Sequence, residues 1–238
     1  WFCLFFSQSE TYPSQVSVMC GMKSLYLDNA AATPIDPRVL SAMNKSAQLY
    51  ANPSSFNNSG RAARAEIEKV RTVVAGFLGA QSDEIVFTSS GSEANNLAIA
   101  GTLQGLTLNL KKGRTLENKG SIIVSVIEHI SVLEPIKNLE QWGWKIHYIK
   151  INKEGFVNSD DIKDILKKDK NVRLISIMYA NNEIGTIQPI RQISKIIRDL
   201  KIKNSHKDLP KGEKLKIHGT IPLFHVDACQ AAGFLDMN

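Results

Sequence analysis

Asp227 stands at the end of a short apolar run, residues 223–226, and is followed by Ala228, Cys229 and Gln230. A buried carboxylate is costly unless a cation or hydrogen-bond donors meet it. In open α/β sheets, ligands bind outside the carboxyl ends of the strands. Asp227 therefore suits pairing with the protonated ring nitrogen of a bound cofactor; capping the turn that follows is the plainer reading. Polar sets follow three other apolar runs in the same way. Gly91 and Ser92 lie in a small polar turn after residues 85–88, Glu128 and His129 follow residues 122–125, and Asn181 to Glu183 follow residues 172–178. A strand, a small turn and a helix start make a phosphate cradle, because free backbone N–H groups and the helix dipole face the anion. The same residues would also serve a simple N-cap through Ser90 or Ser92. His129 suits stacking on a flat ring or proton transfer near neutral pH, although a lone histidine is more often structural. Asn181 and its neighbours either tie down their own loop or grip a polar ligand.

Convergence decides among these readings. Four polar sets at four strand ends would line one edge of a sheet, and one ligand explains them better than four unrelated accidents. The set matches a phosphorylated, planar, heteroaromatic cofactor. Gly91 and Ser92 would hold its phosphate, His129 would cover one ring face, and Asn181 and Gln230 would bond a ring hydroxyl. Asp227 would keep the ring nitrogen protonated, making the ring an electron sink. Strand alternation puts Cys229 on the side of Asp227, so it packs beneath the ring and is not read as a nucleophile.

The elements that must position these groups alternate. Residues 25–34 read as a brief strand running into a small-residue loop, and strands are expected at 85–88, 122–125, 145–151, 172–178 and 223–226. Helices are expected at 37–50, 60–78, 94–101, 131–142, 159–168 and 189–200, the first with Asp36 as cap and the fifth capped by Ser159 or Asp160. Residues 105–120 and 201–219 read as long charged loops. This order implies an α/β fold, a mostly parallel sheet with helices on both faces and right-handed crossovers.

Composition narrows the partners. The formal charge of +6 is spread without a long basic block or interleaved aromatic residues, which argues against nucleic acid and for a small anionic ligand. Cys3, Cys20 and Cys229 form neither a CxxC pair nor a metal-ligand pattern, and a reducing, cytoplasmic setting with no membrane span is expected. Residues 1–24 read as a tail of doubtful status, and residues 25–238 as the patterned domain.

The motifs at residues 26–37, 52–55, 85–101, 128–129, 181–185 and 225–230 together resemble those of the cysteine desulfurase family, in the class V group of pyridoxal-phosphate enzymes. The resemblance covers residues 25–236. It implies the large domain of the type I pyridoxal-phosphate transferase fold, with pyridoxal 5′-phosphate as cofactor. It assigns Gly91 and Ser92 to the phosphate, His129 to ring stacking and proton movement, Asn181 and Gln230 to the ring hydroxyl, and Asp227 to the pyridinium. The implied reaction takes sulfur from L-cysteine, leaving L-alanine and an enzyme persulfide for iron–sulfur cluster or thio-cofactor assembly. It also implies a homodimer and a sulfur-acceptor scaffold protein. No histidine follows the 52–55 motif closely, where Phe56, Asn57 and Asn58 stand. The family's Schiff-base lysine and persulfide cysteine are expected beyond Asn238, so the chain reads as a fragment, inactive alone, with an incomplete sheet. The alternatives are selenocysteine lyase, another class V aminotransferase, or a non-catalytic binding protein of the same fold.

Overall fold

A computed structural model describes residues 25–108, 119–205 and 222–237. The chain divides into two compact units, Trp1–Ala47 and Gln48–Asn238. In the first, helix α1 (Pro37–Ser46) begins as expected: Asp36 accepts the Arg38 N–H, and proline occupies the first turn. It stops four residues short of the expected end at 50. The brief strand expected at the start of residues 25–34 is absent; in the small-residue loop expected to follow it, Asp28 O accepts the N–H groups of Ala31 and Ala32 in a turn. A strand needs a neighbour for its ladder, and the first unit offers none among its described residues.

The second unit is built on four parallel strands: β1 (Ser121–Ser125), β2 (Lys145–Ile149), β3 (Val172–Ser176) and β4 (Leu223–His225), in the spatial order β2-β1-β3-β4. Helices α5 (Ile130–Gln141), α6 (Ser159–Lys168) and α7 (Ile190–Ser205) connect them in turn. Helix α2 (Asn58–Leu78) precedes, capped by Asn57 and ended at left-handed Gly79. Then come α3 (Gly91–Asn96), a π-helical stretch (Leu97–Gly101) and α4 (Thr102–Leu108).

The pleat sorts the core onto two faces. Ile122, Val124 and Leu174 face one side, with Ile99, Leu103, Val132, Ile136 and Leu139 from the helical run 97–108 and α5. Ile123 and Ile175 face the other, with Ile162 and Leu166 of α6 and Ile193 and Ile197 of α7. All five β1 residues are buried, as a central parallel strand covered on both faces requires. The α/β fold with helices on both faces is thus observed.

The departures have local causes. Residues 85–88 pair with no strand, and Val86 is 66% and Phe87 48% exposed, so the buried strand expected there is not formed. No described strand lies beside them. Ile85 O accepts from Arg71, whose guanidinium sits 4.8 Å over the Phe87 ring. The third expected helix starts earlier, at Gly91, and the helical run continues to Leu108, inside the expected loop 105–120. Helix α7 likewise extends to Ser205, inside the expected loop 201–219. Residues 109–118 and 206–219 of those loops, and Cys3 and Cys20, lie outside the described residues. Asn158, not Ser159 or Asp160, caps α6, accepting the Asp160 N–H. Strands β2, β3 and β4 each stop before the expected ends at 151, 178 and 226, and the loops after β3 and β4 carry two of the polar sets.

Candidate functional site

The strand order places β2 on one side of β1 and β3 and β4 on the other, so connections leave in opposite directions between β1 and β3. This is the switch point where open α/β sheets form a crevice. The polar residues collect at that crevice. Glu128, just past β1, accepts through Oε1 from Ser125 Oγ and from the backbone N–H of Met178 past β3, at 2.7 Å for the latter. Its Oε2 is buried without a hydrogen-bond partner. Burial pushes this carboxyl up to about 7, helped by the negative charge of Asp227 and opposed by the two hydrogen bonds.

Asp227 lies past β4 and is buried. Its Oδ1 accepts the Cys229 N–H at 3.0 Å, and its Oδ2 accepts from Asn95 Nδ2 at 2.9 Å. The turn-capping role is therefore real, and it accompanies the buried contact with α3. Burial acts to raise the Asp227 carboxyl, but the Cys229 and Asn95 donors outweigh it and hold it below its ordinary value. The group is an anion at neutral pH. Each carboxylate oxygen has capacity for a further donor.

Asn95 Nδ2 also donates to Ser131 Oγ at 2.8 Å, and Ser131 Oγ lies 2.7 Å from His129 Nδ1. His129 caps α5 through the same nitrogen, which accepts the Ser131 N–H at 3.2 Å. Hence His129 and Asp227 stand two side chains apart. The polar turn joins them: a Cβ on Gly91 would lie 3.1 Å from Cys229 Sγ, so this glycine lets the turn approach the loop after β4. Ser90 caps α3, accepting the Glu93 N–H at 3.2 Å, and Glu93 reaches back to the Ser89 N–H at 2.7 Å. Among the described residues, the N–H groups of Gly91 and Ser92 make no hydrogen bond.

Two expected residues take other geometry. Asn181 spends its amide on its own loop: Oδ1 accepts the N–H groups of Glu183 and Ile184, each at 2.9 Å, while Nδ2 donates to Ile127 O at 3.1 Å and contacts Met178 Sδ at 3.3 Å. Its link to Ile127 does place it at the same crevice. Cys229 is not in a strand, because β4 ends at His225; it sits in the turn that Asp227 caps. Burial and the adjacent Asp227 charge push its thiol up to about 11, so the sulfur stays protonated at neutral pH. Gln230 is half-buried in the same turn.

Sequence reasoning missed Asn95, Ser131, Ser176 and His225. Asn95 Oδ1 lies 3.2 Å from His225 Nε2, and His225 Nδ1 lies 2.8 Å from Ser176 Oγ, its partner in the β3–β4 register. The signal for Asn95 was available. Asn95, Ile99 and Leu103 recur every four residues, so this polar residue is in phase with a buried stripe. The groove at the opposite strand ends is different in kind. There Asp169 already binds His147 at 2.9 Å and Lys145 at 3.6 Å, and Lys170 donates to Leu166 O at the end of α6. Its charges serve the fold. No cluster suited to a metal ion exists among the described residues, and no described helix is long and apolar enough to cross a membrane.

This α/β sheet with an anionic crevice and a free N–H turn is the scaffold of a known class. The model of the aminotransferase class-V family matches residues 25–204, and the chain belongs to that family, whose members depend on pyridoxal phosphate. Within it, the similar proteins are cysteine desulfurases. Cysteine desulfurase IscS of Dictyoglomus turgidum is 42% identical over 217 residues, 91% of this chain and 47% of that protein. The mitochondrial cysteine desulfurase of Candida albicans is 36% identical over 92% of this chain and 39% of its own length. A solved structure described as SspA in complex with cysteine matches with a TM-score of 0.73 and 31% identity, covering 90% of this chain and 53% of that one. The chain thus spans about half the length of the relatives it matches.

Proposed function

We propose that residues 25–238 form the cofactor-binding large domain of a cysteine desulfurase, an enzyme that takes sulfur from L-cysteine and leaves L-alanine. One observation carries this reading: at the sheet's switch point the Asp227 anion is joined to the His129 ring through Asn95 and Ser131, and the Gly91 turn closes on the loop that carries Asp227, where a Cβ on Gly91 would lie 3.1 Å from Cys229 Sγ. The donor set fits pyridoxal 5′-phosphate. When bound, that group supplies an electron sink for bonds broken at the substrate.

The chain's own residues do the rest. The Gly91 and Ser92 N–H groups, at the start of the helical run, bind a phosphate. The Asp227 carboxylate holds a proton on a ring nitrogen, and its hydrogen bonds keep it ionised for that purpose. His129, exposed at the rim, covers a ring face. Asn181 and Gln230 would contact a ring hydroxyl; the Asn181 hydrogen that meets the Met178 sulfur, a weak acceptor, is the one least committed to its loop. Cys229, an exposed and protonated thiol in the turn that Asp227 caps, is not the sulfur carrier. The sulfur passes as an enzyme persulfide to a scaffold protein for iron–sulfur cluster or thio-cofactor assembly, and the working enzyme is a cytoplasmic homodimer.

The test is titration of the protein with pyridoxal 5′-phosphate, followed by quenching of tryptophan fluorescence. Asp227→Ala should weaken binding at least tenfold, because a charge-assisted hydrogen bond to the ring contributes about 1.5–3 kcal/mol. Inorganic phosphate should compete. Equal binding by the wild-type protein and Asp227→Ala would remove the assignment.

A further inference from the structure

We infer that Asn95 and Ser131 are positioning residues that fix the tautomer of His129, placing its proton on Nε2, through a hydrogen-bonded chain of single polarity anchored at Asp227. The inference deepens the cofactor-site reading but rests on geometry independent of any ligand. Its starting point is the one permanent acceptor in the cluster. An ionised carboxylate only accepts hydrogen bonds. Asn95 must therefore turn its NH2 group toward Asp227 Oδ2, which settles the orientation of the amide. The second hydrogen of that NH2 group goes to Ser131 Oγ at 2.8 Å. With one lone pair so used, the Ser131 hydroxyl directs its own hydrogen to the neighbour at 2.7 Å, His129 Nδ1. A second donor reaches the same nitrogen, the Ser131 backbone N–H at 3.2 Å, which has no capacity to accept. Two donors converge on Nδ1, so the neutral ring carries a lone pair there and its proton on Nε2.

The other branch agrees. With the Asn95 amide so oriented, Oδ1 faces His225 Nε2 at 3.2 Å and must receive a hydrogen from it. His225 Nδ1 is then the acceptor, and Ser176 Oγ, 2.8 Å away, is its donor. Burial depresses the basicity of His225, in keeping with a neutral ring in this position. Asn95 thus sets two histidines from one buried amide.

The consequence is chemical. Neutral His129 presents an N–H donor at Nε2, not a lone pair. It hydrogen-bonds an acceptor on a bound ligand. It accepts a proton on Nε2 only in the other tautomer, after the proton there has been released and one gained on Nδ1, with Nδ1 then donating to Ser131 Oγ and the Ser131 hydroxyl hydrogen turned elsewhere. The Ser131 N–H, aimed at Nδ1, opposes that reversal, and the Asn95 N–H adds to it by leaving Ser131 Oγ a single lone pair to receive an Nδ1 hydrogen.

Nitrogen-15 NMR of histidine-labelled protein without cofactor tests the assignment, with His129→Gln identifying the ring signals. Wild-type protein at pH 8 should show one His129 form, Nδ1 bare and Nε2 protonated. Asn95→Leu, which frees Ser131 Oγ to accept, and Ser131→Ala, which removes one donor, should each raise the Nδ1-protonated form at least fivefold. Ser131→Thr, which keeps the hydroxyl, should restore the wild-type pattern. A wild-type ring protonated on Nδ1, or an unchanged spectrum in both variants, overturns the inference. Because no cofactor is present, failure here is separate from failure of the binding titration.

Discussion

Replacing Glu128 with glutamine isolates a pH dependence built into the crevice. Glu128 is 5% exposed, with Oε1 bonded to Ser125 and Met178 and Oε2 without a partner. Its carboxyl rises from the ordinary 4.5 to about 7 because burial disfavours the anion. The folded state therefore binds this proton more tightly than the unfolded chain does. Its stabilising contribution is full below pH 4.5 and is lost as pH rises through about 7. At about 1.4 kcal/mol per tenfold in affinity, the gap corresponds to a loss of about 3 kcal/mol across that window. Glutamine does not titrate. It keeps Oε1 for Ser125 and Met178 but puts two N–H hydrogens where Oε2 finds no partner, a cost of about 1–3 kcal/mol at every pH. Urea unfolding from pH 5 to pH 8 should show Glu128→Gln less stable than wild type at the acid end. The two should converge or cross at the alkaline end, with the difference changing by about 3 kcal/mol. A difference that stays constant across the range would refute the burial argument.

Other perturbations test the frame around the site. Gly60→Ala places a Cβ 2.5 Å from Ser55 O and 2.8 Å from Asn52 O; it should cost about 1–3 kcal/mol by overpacking, read as a lowered thermal midpoint. Ile136→Ala empties a fully buried position between α5 and the sheet and should cost about 2–5 kcal/mol in the same assay. Asp169 is pulled down to about 2; burial acts to raise it, but its bonds to His147 and the Asn171 N–H prevail. Its contribution is present above pH 3.8 and lost as pH falls through about 2, so Asp169→Asn should flatten that part of the acid unfolding curve.

Periodicity alone located β1 to β4, the helices around them and the two-faced sheet, because buried parallel strands and amphipathic helices must carry their apolar residues at fixed intervals. It failed at residues 85–88, whose apolar run is strand-like although no described neighbour completes a ladder. At Asn181 it left two readings open, a tied-down loop or a grip on a polar ligand. The sequence shows two amides and a carboxylate after a strand; only the folded loop shows that both Asn181 side-chain ends bind their own neighbourhood.

What the sequence determined by itself was where polar residues follow apolar runs: Gly91, Ser92, His129, Asn181, Asp227 and Gln230 each stand after one, because apolar segments must be covered and the turns between them must stay polar. The tertiary structure decided how those groups are wired. Asn95 and Asp227 are 132 positions apart, and Glu128 and Met178 are 50 apart. Which hydrogen bonds form between such residues depends on the order and register of the strands that bring them together, and no local pattern encodes that order.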